Sequence, residues 1–177
     1  MADALILPMA ERLLECFCAA LQVQHTVANR PARCCLRVGE SVSADASLYE
    51  DVCCDGLAWV RIDSIFASND DFPNPDTQTP VTGCGIQAWG VVLEMGVLRC
   101  APTGDISAIP TCNEWTALAV NVANDARAMR DAICCLTAQL DQQSVAIGSW
   151  NPLPTTGGCA GGAWQITVQI MNDCEDC

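Results

Sequence analysis

QAWGVVLEMGVLRC, residues 87–100, decides the fold. Trp89, Val91, Leu93, Met95 and Val97 fall on one side, and Ala88, Gly90, Val92, Glu94, Gly96 and Leu98 on the other. A period of two sustained over this length predicts a strand. The second side is small and partly apolar, so the strand reads as covered on both faces.

Upstream lies CCDGLAWVRIDSIFAS, residues 53–68. Asp55-Gly56 is a turn signal, and Leu57 to Phe66 is rich in strand formers, with Val60, Ile62 and Phe66 on one parity. Between the two strands runs an acidic, Pro-rich stretch that includes Asp70, Asp71, Phe72, Pro73, Pro75 and Asp76. Proline removes ladder donors and biases its predecessor to extended backbone, so 68–83 is expected to be a long extended loop. A loop this long in a small domain is usually functional or mobile. Asp70, Asp71, Phe72, Pro73 and Asp76 are therefore the candidate partner-binding residues. They do not form a calcium loop, because Pro breaks the pattern and the closing Glu is absent.

Downstream, Thr111 and Glu114 have the spacing of a capping box. The helix they open is expected to bury a stripe of Trp115, Leu118, Val122, Ala126, Met129, Ile133 and Leu136. Asn121, Asn124, Asp125, Arg127 and Asp131 lie on or near its other side. Residues 144–150 read as a strand, and Asn151-Pro152-Leu153-Pro154 with the following GGCAGG as a loop. Trp164, Ile166, Val168 and Ile170 then alternate with Gln165, Thr167 and Gln169, the pattern of a strand with one buried face. At the other end, Met9, Leu13, Cys16, Phe17, Ala20 and Leu21 mark a helix over residues 7–22. A short strand is expected at 34–38, and 172–177 is expected to be a polar C-terminal tail. The order helix, strands, helix, strands implies a single α+β domain over 1–177, with helices packed on a sheet.

Composition narrows the function. The chain has 177 residues, 14 Cys and a formal charge of −13, and all eight basic residues are Arg. That charge disfavours nucleic-acid binding and docking on anionic membranes. The first residues carry Asp3 where a secretory signal would be positive, and Glu11, Arg12 and Glu15 rule out a membrane span there. Synthesis in a cytoplasm, where thiols stay reduced, is the expectation.

The cysteines come as doublets (34/35, 53/54, 134/135), a CxC (16/18), a terminal CxxC (174/177) and singles (84, 100, 112, 159). Adjacent side chains diverge in strands and helices alike. A doublet is thus poor geometry for one zinc ion, and no metal or other cofactor is expected. Cys134 and Cys135 lie off the stripe of their helix, and Cys18 off that of the first. Cys18, Cys34, Cys53, Cys134, Cys135, Cys174 and Cys177 are candidates for late disulfides whose connectivity the sequence does not give. The single His25 has no nucleophile placed beside it by a motif and reads as a cap or surface residue, so no catalytic residue is expected. Trp59, Trp89 and Trp164 read as core residues.

Taken together, MADALILPMAERLLECFCAAL, CCDGLAWVRI, AWGVVLEMGVLRCAP, ALAVNVANDARAMRDAI and WNPLPTTGGCAGGAWQITVQI resemble the small neck proteins of long-tailed bacteriophages of actinobacteria. The closest kind is the tail terminator, or tail-completion, protein. The resemblance spans nearly the whole chain except 39–50 and 68–83. It implies a mixed, mostly antiparallel sheet flanked by an N-terminal and a central helix. It also implies a non-enzymatic virion protein, made in the host bacterial cytoplasm and assembled as a ring of six copies. Such a ring caps the tail tube, meeting the major tail protein on one side and the head–tail stopper on the other, while DNA passes through without specific binding. Two other readings are another neck ring (a head–tail stopper or adaptor) and a cytoplasmic Cys-based redox or metal-binding protein.

Overall fold

The sheet is built around Ala88–Cys100, here β3. In a computed structural model of the chain, the residues described are 5–39, 55–69, 71–76, 88–102, 109–140, 144–156 and 158–171. The elements are α1 (Ile6–Gln24), β1 (Arg33–Arg37), β2 (Leu57–Ser68), β3, α2 (Cys112–Gln139), β4 (Val145–Thr156) and β5 (Cys159–Met171), with a short 3₁₀ turn at Val27–Asn29. The five strands form one sheet in the order β1-β2-β3-β5-β4. β1 runs parallel to β2, and every other pair is antiparallel. This is an α+β fold with a mixed, mostly antiparallel sheet.

Both helices pack on one face of the sheet. Val91, Leu93, Met95 and Val97 of β3 meet Leu13 and Phe17 of α1 and Met129 and Leu136 of α2, all fully buried. The opposite face holds a smaller cluster of Leu57, Trp59, Leu98, Cys159 and Ala163. Trp59 lies flat over Gly96, where any Cβ would run into its indole. Its Nε1 donates to Glu94, which also takes both Nε (2.8 Å) and Nη2 (3.0 Å) of Arg61. Glu94, with Asp63 nearby, pushes the Arg61 guanidinium above its usual range.

Three expectations are corrected. A bulge between Ile62 and Ser64 shifts the pairing of β2 with β3 by one residue. Beyond it the side-chain alternation flips, so Phe66 packs over Gly90 on the face opposite Val60 and Ile62. β4 runs on through Pro152 and Pro154, which is tolerated because it is an edge strand whose outer side needs no ladder donor. Gly161 and Gly162 of GGCAGG lie within β5 rather than in a loop, and Gly158 makes a positive-φ turn just before it. A Cβ on Gly161 would strike the Val97 carbonyl, and one on Gly162 the Trp150 ring. Within the expected 68–83 loop, Asn69 and Asp71–Asp76 form a closed turn. Asn69 Oδ1 accepts from the Asp71 amide, the Asp76 amide donates to Ala67 O, and Gln169 Nε2 donates to Asn69 O. Asp70, residues 77–83 and the tail 172–177 lie outside the described residues.

Candidate functional site

Three polar residues far apart in sequence meet where α1, α2 and β3 converge. His25 ends α1, its backbone N–H donating to Leu21 O. Asp125 lies near the middle of α2, and Arg99 is the penultimate residue of β3. Arg99 donates from Nε to Asp125 Oδ2 and from Nη2 to Asp125 Oδ1, each at 2.6 Å. His25 Nε2 is 2.8 Å from Asp125 Oδ1, and Arg99 Nη1 donates to Asn29 O at 2.9 Å. Asp125 is 1% exposed, His25 5% and Arg99 8%. Removing one member of such a buried ion pair is costly, because its partner stays desolvated and unpaired. The donors and acceptors of the cluster are turned on one another, so its chemistry is that of a clamp holding α2 against the ends of α1 and β3.

This clamp is the feature that sequence reasoning missed. His25, read as a cap or surface residue, does end its helix, yet it is buried, and Asp125 is not on a free face. The residues are 100 and 26 positions apart along the chain, so no local spacing signals them. The one available clue was compositional: with only eight cations, an Arg within an apolar strand needs a carboxylate brought to it.

The clamp also divides α2. At about 1.5 Å per residue, its 28 residues run about 42 Å, against about 28 Å for the 19 of α1. Ala128, Met129, Ala132, Ile133 and Leu136, beyond the clamp, are buried. Before it, the predicted stripe is not covered: Trp115 is 42% exposed, and Leu118 and Val122 are only partly buried. α1 stops too soon to cover them. The start of this overhang is fixed by the expected capping box, Glu114 N donating to Thr111 Oγ1 and Thr111 N to Glu114 Oε2. Those bonds from Thr111 hold the Glu114 carboxyl below its usual value.

Two open grooves flank α2. One, of about 390 Å³, lies under the overhang and is lined by Asn29, Arg30, Asp55, Glu114, Leu118 and Asn121 among others. Arg30 there is tied to the carbonyls of Gln22 and His25. The other, of about 420 Å³, is lined by Ala123, Ala126, Arg127, Arg130 and Trp164. Trp164 is half-buried, with Nε1 donating to Gly148 O at 2.7 Å.

The candidate loop residues lie at the far end of the sheet. Asp71 and Pro73 are exposed, and Phe72 and Asp76 half-buried. Ser68, just before them, pairs with Ala88, while Arg99 is eleven residues further along β3, about 36 Å away. The structure therefore does not bring this turn together with the clamp or the α2 grooves.

Among the candidate disulfide cysteines, Cys18 is bonded to Cys34, which ties α1 to β1. Cys135 is bonded to Cys16, which ties α2 to α1. Cys134 is instead a free, exposed thiol. It sits about 100° around the helix from Cys135, so only one sulfur of the doublet can face α1. The same divergence leaves Cys35 free beside the bonded Cys34. Cys100 and Cys159 are also disulfide-bonded, and Cys112 is free and exposed. Cys53, Cys174 and Cys177 lie outside the described residues. Among the described residues, no group of three or more His, Cys, Asp or Glu is placed to hold a metal ion, and no helix is long and apolar enough to cross a membrane.

No protein-family model matches the chain, and no curated protein matches it in sequence.

Proposed function

We propose that this chain is a structural ring subunit of a bacteriophage neck, the tail terminator, with no catalytic role. The observation that carries the reading is architectural. A mixed, mostly antiparallel sheet with an N-terminal and a central helix packed on it is the arrangement that the sequence resemblance implies for this class of subunit. The chemistry is compatible. The most buried polar cluster is a clamp with its donors and acceptors spent, and the fold leaves half of its longest helix uncovered, as an assembling subunit would.

In this reading the ring is made in the host cytoplasm, closes on the end of the tail tube and stops its growth. The stopper then docks on the opposite side. DNA must pass without being held. A subunit charge of −13 suits that task, since carboxylates facing a lumen repel phosphate over about 8 Å at physiological salt.

The test is termination itself. Added to a tube-forming preparation of the cognate major tail protein, the chain should cap tube ends and arrest elongation. Tubes that grow to the same length distribution with and without it would sink the proposal.

A further inference from the structure

We propose that the Cys18–Cys34 disulfide is a redox latch on the edge strand β1: once it is reduced, β1 leaves the sheet while the rest of the fold stands. β1 is the shortest of the described strands, with five residues. It lies at the end of the sheet and pairs only with β2, in parallel, the slightly less stable kind of ladder. None of its residues is fully buried, whereas Leu57 to Arg61, which pair with it, all are. Cys34 and Leu36 touch the main core from its margin, and Cys35 touches the smaller cluster on the other face.

The turn before β1 is held without it. Arg30 donates to the carbonyls of Gln22 and His25, and Arg99 Nη1 to Asn29 O. An opening of β1 therefore stops at this turn and leaves α1 in place. Outside the ladder, β1 is flanked by bonds from Ala32 N to Asp55 O at 2.8 Å, Arg33 N to Gly56 O at 3.3 Å and Arg61 Nη1 to Gly39 O at 3.1 Å. Arg61 keeps Glu94 and Asp63 if the last of these is lost. The bridge adds a covalent tie from β1 to α1 across a span of 16 residues. A strand that opens on this tie stays close enough to pair again.

Access decides which bridge opens first, because exchange needs a thiolate to reach a sulfur. Cys18 and Cys34 are each half-buried. Cys16 of the other bridge is only 5% exposed, and that bridge joins two helices that already share a core. A thiolate of the glutathione class attacks one sulfur of Cys18–Cys34, forms a mixed disulfide with it and releases the other as a thiolate. A second glutathione resolves the mixed disulfide, so two protein thiols and one glutathione disulfide result. In a cytoplasm, where thiols stay reduced, the latch is open; in an oxidising medium it is closed. The latch does not rest on the ring reading.

Cys35, a free thiol on β1 itself, reports the release, and the exposed thiols Cys112 and Cys134 are internal controls. The test is maleimide labelling of the full chain, mapped by mass spectrometry, during titration with reduced glutathione. Cys18 and Cys34 should be freed before Cys16 and Cys135. At that stage Cys35 should label about 100-fold faster than in the oxidised chain, since about 3 kcal/mol of loop closure no longer favours re-pairing and about 1.4 kcal/mol is tenfold. Cys112 and Cys134 should keep their rates, and the circular dichroism should be nearly unchanged. Cys18→Ser/Cys34→Ser should show the fast Cys35 without any reductant. A Cys35 rate indifferent to the bridge, release of Cys16–Cys135 first, or loss of the whole fold in either the reduced chain or the double variant would each overturn the proposal.

Discussion

Replacing Asp125 by Asn should cost about 3–5 kcal/mol of folding stability, the range for breaking a buried ion pair by removing one partner. The carboxylate is 2% exposed at its side chain and takes two guanidinium N–H bonds at 2.6 Å, with His25 Nε2 at 2.8 Å. Asn keeps the shape, but it turns one acceptor into a donor that faces an Arg99 N–H. The guanidinium then stays desolvated with half of its fork unmatched. Against a total of about 5–15 kcal/mol for a domain, this is a large fraction. Urea unfolding followed by tryptophan fluorescence and far-ultraviolet circular dichroism, with the disulfides intact, measures it. The double variant Arg99→Met/Asp125→Leu removes both charges together and should lose less than Asp125→Asn alone. A loss under about 1 kcal/mol for Asp125→Asn would show that water or a rearranged Arg99 satisfies the site, and the clamp would not be what orients α2.

Removing the Cys16–Cys135 bridge with alanines frees a span of 119 residues and should cost about 5 kcal/mol, whereas removing Cys18–Cys34, with a span of 16, should cost about 3; equal losses in urea titrations would argue against a loop-entropy origin. Thr111→Ala should lose about 1 kcal/mol through the missing cap and speed amide exchange in the first turn of α2. Glu114 acts through a lowered carboxyl value, so its support is complete above the ordinary carboxylate range and disappears as pH falls through the lowered value. Protection of that turn should drop on acidification in wild type and be flat across the same window in Glu114→Gln.

Much of the architecture was legible because it is carried by periodicity. The alternation predicts a strand over 87–100, and β3 runs Ala88–Cys100; Thr111 and Glu114 have capping-box spacing, and both bonds of the box are made. The errors arose where tertiary context overrides local propensity. Pro152 and Pro154 signal a loop until β4 is known to be an edge, and Gly161 and Gly162 signal a turn until the Val97 carbonyl and the Trp150 ring are known to occupy their Cβ positions. A one-residue bulge cannot be heard in an alternation, and it moved Phe66 to the other face. The clamp was not legible at all, because His25, Arg99 and Asp125 are brought together only by the packing of α1, β3 and α2. The stripe expected to be buried along α2 is buried only at Met129, Ile133 and Leu136, while Trp115 at its start is 42% exposed. Its incomplete cover follows from the shorter reach of α1, a property of two helices compared and of neither alone.

Class-averaged electron micrographs of the purified chain on tail-tube ends test ring closure most directly. The proposed function predicts a closed annulus with a central opening, seated on the tube and built from six copies as the resemblance implies. Bare tube ends, with the protein remaining at one or two copies in the same sample, would contradict it.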